Sequence, residues 1–174
     1  MKRTLILIAG VLLLASCAPN REKQLKAIEE REAALSTLDM ITEDSQLTEL
    51  RDLYLQFVSD FPDDSLAAPY LTKAAEKCIS VSDYGRAIDL LDSVIALYPD
   101  YEDVGGCWFQ KGYAYEAAEE YDSARAIYSY FVEHYPDHVM ARDTRSMLER
   151  NLIGLSPEEQ LERILGESET IACR

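Results

Sequence analysis

His134 and His138 are the two imidazoles of the chain. Four residues apart, they could share a helix face and supply half of a metal site. Pro136 stands between them, and proline ends or kinks the helix such a pair would need. The spacing predicts two surface histidines and no metal. Carboxylates are abundant, and neighbours such as Glu29–Glu30 and Glu119–Glu120 read as solvated faces and turns. No Cys-x-x-Cys, phosphate-binding glycine loop, nucleophile elbow or His-Glu-x-x-His occurs. These residues predict neither catalysis nor a cofactor. A net charge of −15 lacks the basic footprint of a nucleic-acid binder. It also disfavours electrostatic attachment to anionic lipid. Thiols are the remaining reactive groups. Cys78, Cys107 and Cys173 form an odd set with no closed disulfide framework. Cys78 is expected as a small packed thiol, and Cys173 as part of a loose tail.

Cys17 has a different context. Met1-Lys2-Arg3 is a basic head, and residues 4–16 carry no charge. That run is shorter than the roughly 20 residues a membrane span requires, so residues 1–16 read as a secretory signal. The run ends Leu14-Ala15-Ser16-Cys17, which resembles the lipobox of bacterial lipoproteins. The resemblance implies cleavage before Cys17, lipidation of its thiol, and residues 17–20 as a tether. An ordinary cleaved signal with an incidental cysteine is the alternative. Acyl chains would supply the membrane attachment that charge cannot, at about 0.8 kcal/mol per buried CH₂.

The elements that must position any surface are set by a repeat. Phe61-Pro62-Asp63, Tyr98-Pro99-Asp100 and Tyr135-Pro136-Asp137 recur at a spacing of 37. At the same offset Leu47, Tyr84 and Tyr121 coincide, as do Leu50, Ala87 and Ala124, then Leu53, Leu90 and Ile127, and Phe57, Val94 and Phe131. Steps of three and four are helical, and each such helix is stopped at the aromatic-Pro phrase. A second helix precedes it in each copy, over about Pro69–Ser80 and Gly106–Glu119. Pro69 and Gly106 share a slot in the first turn, and Asp83 is a candidate N-cap. Residues 21–39 form an amphipathic helix, with Leu25, Ile28, Leu35 and Leu38 roughly on one face. It can partner the helix at 47–61. Met140–Leu152 predicts a lone helix. Ser156-Pro157-Glu158-Glu159 starts a short final one ending near Leu165.

Trp108, Gly112, Tyr115, Ala124, Tyr128, Phe131 and Pro136 stand at the spacings of the tetratricopeptide repeat, and Leu71, Ala75, Cys78, Ala87, Leu91, Val94 and Pro99 repeat them. The chain resembles that family over about residues 45–153, with 21–44 and 154–174 as flanks. The resemblance implies an all-α solenoid of antiparallel helix pairs with capping helices. Its repeat core would be Leu71, Ala75, Ala87, Pro99, Trp108, Gly112, Tyr115, Ala124 and Pro136. Lys111 occupies a slot where an apolar residue is usual, and its stem would snorkel. The first helix of each pair would line a groove through Thr72, Glu76, Ile79, Phe109, Tyr113 and Glu116. Aromatics beside acids suit a protein segment with basic or apolar side chains. The competing outcome is that Phe109 and Tyr113 pack against the capping helices. The longer period and the Ala-Pro start resemble tetratricopeptide lipoproteins and periplasmic proteins of the bacterial envelope, namely the lipoprotein of the β-barrel assembly machine and the repeat domain of the Tol–Pal division coordinator, and the layout resembles a small repeat lipoprotein common in Bacteroidetes. The resemblance implies a non-enzymatic, lipid-anchored scaffold on the periplasmic side of the outer membrane. Its protein partners would serve outer-membrane assembly. The alternatives are division or peptidoglycan machinery, or a ligand-binding accessory role.

Overall fold

The computed structural model of the chain describes residues 20–36 and 43–172. Residues 1–16, expected above to be a signal, and Cys17, Leu38 and Cys173 lie outside the described residues. Among the described residues eight helices run in order: α1 (Arg21–Ser36), α2 (Asp44–Asp60), α3 (Ala67–Ser80), α4 (Tyr84–Leu97), α5 (Val104–Ala117), α6 (Tyr121–His134), α7 (Ala141–Glu149) and α8 (Pro157–Ala172). Each helix from α1 to α6 packs on the next, giving an all-α solenoid of antiparallel pairs. α3 starts at Ala67, two residues before Pro69, so the proline sits in the first turn where its missing N–H has no intrahelical partner. α8 runs on to Ala172, beyond the expected end at Leu165.

The recurrence of helix ends is physical. Phe61, Tyr98 and Tyr135 each cap a helix C-terminus with nearly the same backbone angles, φ/ψ of −135/61, −128/58 and −126/55. The amide of each donates back one turn, to Phe57, Val94 and Phe131 respectively. The following proline cannot donate to the preceding turn, so the chain leaves the helix axis there. Three residues after each cap an amide returns to the cap carbonyl, at 3.0–3.1 Å, and the next helix begins.

The other turns use a left-handed residue that is not glycine. Ser82 (φ 60), Glu119 (φ 63) and Asn151 (φ 52) follow α3, α5 and α7. Asp83, Glu120 and Leu152 then donate five residues back, to Cys78, Tyr115 and Met147 carbonyls at 2.8–3.0 Å. This six-to-one closure satisfies helix carbonyls that otherwise face an apolar neighbour. Asp83 is the N-cap of α4 by position, but its side chain makes no capping bond. Ser156 does cap α8. Its hydroxyl accepts the Glu159 amide at 3.3 Å, and Glu159 accepts the Ser156 amide at 2.8 Å.

The core is a spine through the stack. Ile28, Leu50, Tyr54, Phe57, Tyr70 and Ala74 fill its first part, and Leu71, Ala75, Leu91, Val94 and Cys107 the second. Ala124, Tyr128 and Ile153 close the far end, with Met147 and Leu148 of α7 packed on them. α1 buries Ile28 against α2, and this covers the near end.

Candidate functional site

The first helices of successive pairs, α1, α3 and α5, are joined side by side. Lys73 Nζ on α3 donates to Glu32 Oε1 on α1 at 2.7 Å. Gln110 on α5 donates to Glu76 Oε1 on α3 at 3.3 Å. Thr72 meets Cys107 at 3.5 Å. The six candidate groove residues separate on this surface. Thr72 is buried, and its hydroxyl donates to the Ala68 carbonyl at 3.0 Å. It is a core residue, because its slot points across to α5. Phe109 packs on Tyr128 and Phe131 at centroid distances of 5.8 and 5.7 Å, and belongs to the cluster that α7 covers. Ile79 is half-buried beside Cys78 and Ala87. Glu76 and Glu116 are half-buried and already hydrogen-bonded. Tyr113, 49% exposed, is the large apolar ring of this set that stays open to solvent.

A second arrangement recurs across two periods. The Tyr54 hydroxyl donates to Glu32 at 2.6 Å, and the Tyr128 hydroxyl to Glu116 at 3.0 Å. In each case a second helix's phenol reaches a first helix's carboxylate. The middle copy has Leu91 at the tyrosine's place. Burial, and then the adjacent carboxylate, push both phenols far above their usual value. At Glu32 burial acts upward, but the hydrogen bonds from Lys73 and Tyr54 outweigh it and hold the carboxyl below its usual value. A cavity of about 390 Å³ opens here, lined by Glu32, Leu35, Tyr54, Lys73, Glu76 and Lys77 among others. Glu32 and Lys73 were not among the sequence candidates. α1 starts at Arg21 and not at position 30, which lies 37 residues before the start of α3 at Ala67, so the 37-residue register does not reach Glu32. The signal available was Tyr54 itself, two periods before Tyr128.

A pH dependence follows. A carboxyl with a depressed folded-state pKa binds its proton more readily when unfolded. Its stabilisation is therefore complete above the ordinary glutamate value of 4.5 and disappears as pH falls through the lower folded value. Glu32→Gln is expected to flatten the acid limb of a urea-derived stability profile by up to about 1 kcal/mol, since the pair is partly solvated. An acid limb identical to wild type would refute the assignment.

The expected repeat core also divides. Leu71, Ala75, Ala87, Gly112 and Ala124 are buried, with no measurable exposure at Ala75, Ala87 and Ala124. Pro99 and Pro136 are exposed in their turns and contribute no core packing, because their role is to end α4 and α6. Trp108 and Tyr115 are only half-buried. The Lys111 ammonium lies 5.5 Å from the Trp108 ring and 5.9 Å from that of Tyr115. Lys111 is 9% exposed, and Nζ bonds Asp92 of α4 at 2.5 Å. Its stem fills an apolar slot while its head reaches a carboxylate that is half in water. Lys111→Met is expected to leave stability within about 1 kcal/mol of wild type. Asp92→Ala should cost about 1–2 kcal/mol, because it strands a desolvated ammonium. Paired denaturant titrations would check the asymmetry, and the reverse order would refute it.

His134 stacks on Tyr130 at 3.8 Å. His138 Nε2 lies 3.3 Å from Asp103 Oδ1, and its Nδ1 accepts the Met140 amide at 3.2 Å. The two rings thus engage separate partners. Among the described residues no group of three or more His, Cys, Asp or Glu could hold a metal ion. No described helix is long and apolar enough to cross a membrane.

Fold and surface together define a tetratricopeptide-type α-solenoid. The tetratricopeptide repeat family matches residues 107–138, which span α5, α6 and the turn after them. No curated protein matches the chain. The crystal structure of MamA is similar with a TM-score of 0.46 and 18% identity, over 88% of this chain and 94% of that one.

Proposed function

We propose that this chain is a lipid-anchored scaffold that holds a protein partner at the bacterial outer membrane, on its periplasmic side, in the assembly of outer-membrane proteins. The observation that carries the scaffold reading is the surface of α1, α3 and α5. It is pinned by bonds between its own helices, and it leaves Tyr113 exposed on the helical turn between Gln110 and Glu116. A ring flanked by polar and acidic groups suits a segment with apolar and basic side chains. The lipobox at Cys17 supports the anchor, and the resemblance to envelope lipoproteins supports the process.

A photocrosslinking residue at Tyr113, irradiated in growing cells, is expected to capture a discrete protein that the same residue at exposed Ala126 on α6 does not. Barrel-assembly components in the Tyr113 adduct support the assigned process. Tol–Pal or wall-synthesis proteins would move the scaffold to division. Identical captures from both sites would sink the surface assignment.

A further inference from the structure

We propose that the edge of the solenoid formed by the three aromatic-Pro-Asp turns lies against the lipid headgroup layer, with Leu97, Val139 and Met140 as its apolar contacts. This rests on the reading of Cys17 as lipidated. The turns are stitched into one continuous edge that includes the start of α1. Arg21, the first residue of α1, bonds Asp64 in the first turn at 2.5 Å. The Tyr98 hydroxyl of the second turn donates to the Pro62 carbonyl of the first at 2.9 Å. His138 of the third lies 3.3 Å from Asp103, which ends the second.

The length of chain before α1 then decides orientation. Four residue steps separate Cys17 from Arg21, and an extended chain covers at most about 14 Å in that distance. A lipidated Cys17 must therefore keep this edge close to the bilayer surface. The opposite edge, with the turns at 81–83 and 118–120, stands one helix length away, about 21 Å for 14 residues.

Three exposed apolar groups mark the stitched edge, while Tyr113, Tyr130, Leu161 and Leu165 are exposed on helix faces away from these turns. Leu97 is 68% exposed, Val139 83% and Met140 36%, and all three sit at the stitched edge. The opposite turns present Ser82, Asp83, Glu119 and Glu120, with no exposed large hydrophobic residue. Exposed Asp63, Asp100, Glu102 and Asp137 lie among the apolar contacts. These carboxylates oppose anionic headgroups but suit the ammonium of phosphatidylethanolamine. The surface thus fits a zwitterionic amine-bearing headgroup layer, with shallow apolar contact and no deep insertion.

The test places a benzophenone amino acid at Val139 or Leu97, or at Asp83 or Glu120 on the far edge, in the full chain expressed in a bacterium. Isolated membranes are irradiated, and lipid adducts and acylation of Cys17 are measured by mass spectrometry on the same protein. Adducts several-fold more abundant from Val139 and Leu97 than from Asp83 and Glu120 are expected. Equal or reversed yields on protein acylated at Cys17 overturn the surface and leave the anchor standing. The expected yields on protein unmodified at Cys17 uphold the surface and remove the anchor. Soluble protein without adducts at any position removes both.

Discussion

Gly112→Val is expected to destabilise the fold by about 3 kcal/mol, at the upper end of overpacking costs. A Cβ alone at this position would come within 2.6 Å of two atoms of the Tyr128 ring. That ring cannot swing away cheaply. Tyr128 is 1% exposed, Phe109 packs beside it, and its hydroxyl is bonded to Glu116. Glycine is needed here for close approach, since its own φ is that of an ordinary helix residue. Gly85→Ala is the control. Nothing lies within 4 Å of its Cβ position, and the change should be neutral or gain up to about 1 kcal/mol. Denaturant midpoints for the two variants decide the matter. A loss at Gly112 no larger than that at Gly85 would mean that α5 and α6 separate without cost.

Phe57→Ala should be costlier still, at about 3–5 kcal/mol. Phe57 has no exposed surface and joins three elements. Its ring meets Phe61 of the first turn at 5.1 Å and the edge of Tyr70 on α3 at 5.0 Å, while the Arg21 guanidinium of α1 lies 6.0 Å from its centroid. Removing it opens a cavity where α1, α2 and α3 converge. A folded domain holds only about 5–15 kcal/mol in total, so the melting temperature should fall by about 10 °C or more. A drop of one or two degrees would show that α1 is a loose flank that collapses into the space.

The sequence period made most of the architecture readable. Helix starts at Ala67, Val104 and Ala141, and helix ends at Asp60, Leu97 and His134, keep the 37-residue step. The reason is that each end is set locally, by an aromatic cap followed by proline. What faces what was harder to read. Thr72 and Tyr113 both fall on the face assigned to the groove, yet one is buried and the other open. The repeat fixes rotation about a helix axis but not how far the next helix slides across it. Phe109 and Thr72 share a slot and are both covered, one by the aromatic cluster at α6 and α7 and the other by Cys107. Lys111 shows a different limit. Its burial depends on Asp92, which lies on another helix and leaves no trace in the pattern of α5. Glu32 was missed because α1, starting at Arg21, is out of the 37-residue step that the starts of α3, α5 and α7 keep. α8 continues through Gly166 to Ala172, past the expected end near Leu165.

Cys78 and Cys107 are buried and unbridged. Burial pushes the Cys78 thiol up, and that of Cys107 up to about 11. Since the thiolate is the reactive form, both sulfurs are chemically silent in the native state. In an oxidising compartment the hazard would fall on the nascent chain, before α3 and α5 close over them. Folding and disulfide-forming enzymes are then in a race, and the helical, short-range contacts of this architecture favour the folding side.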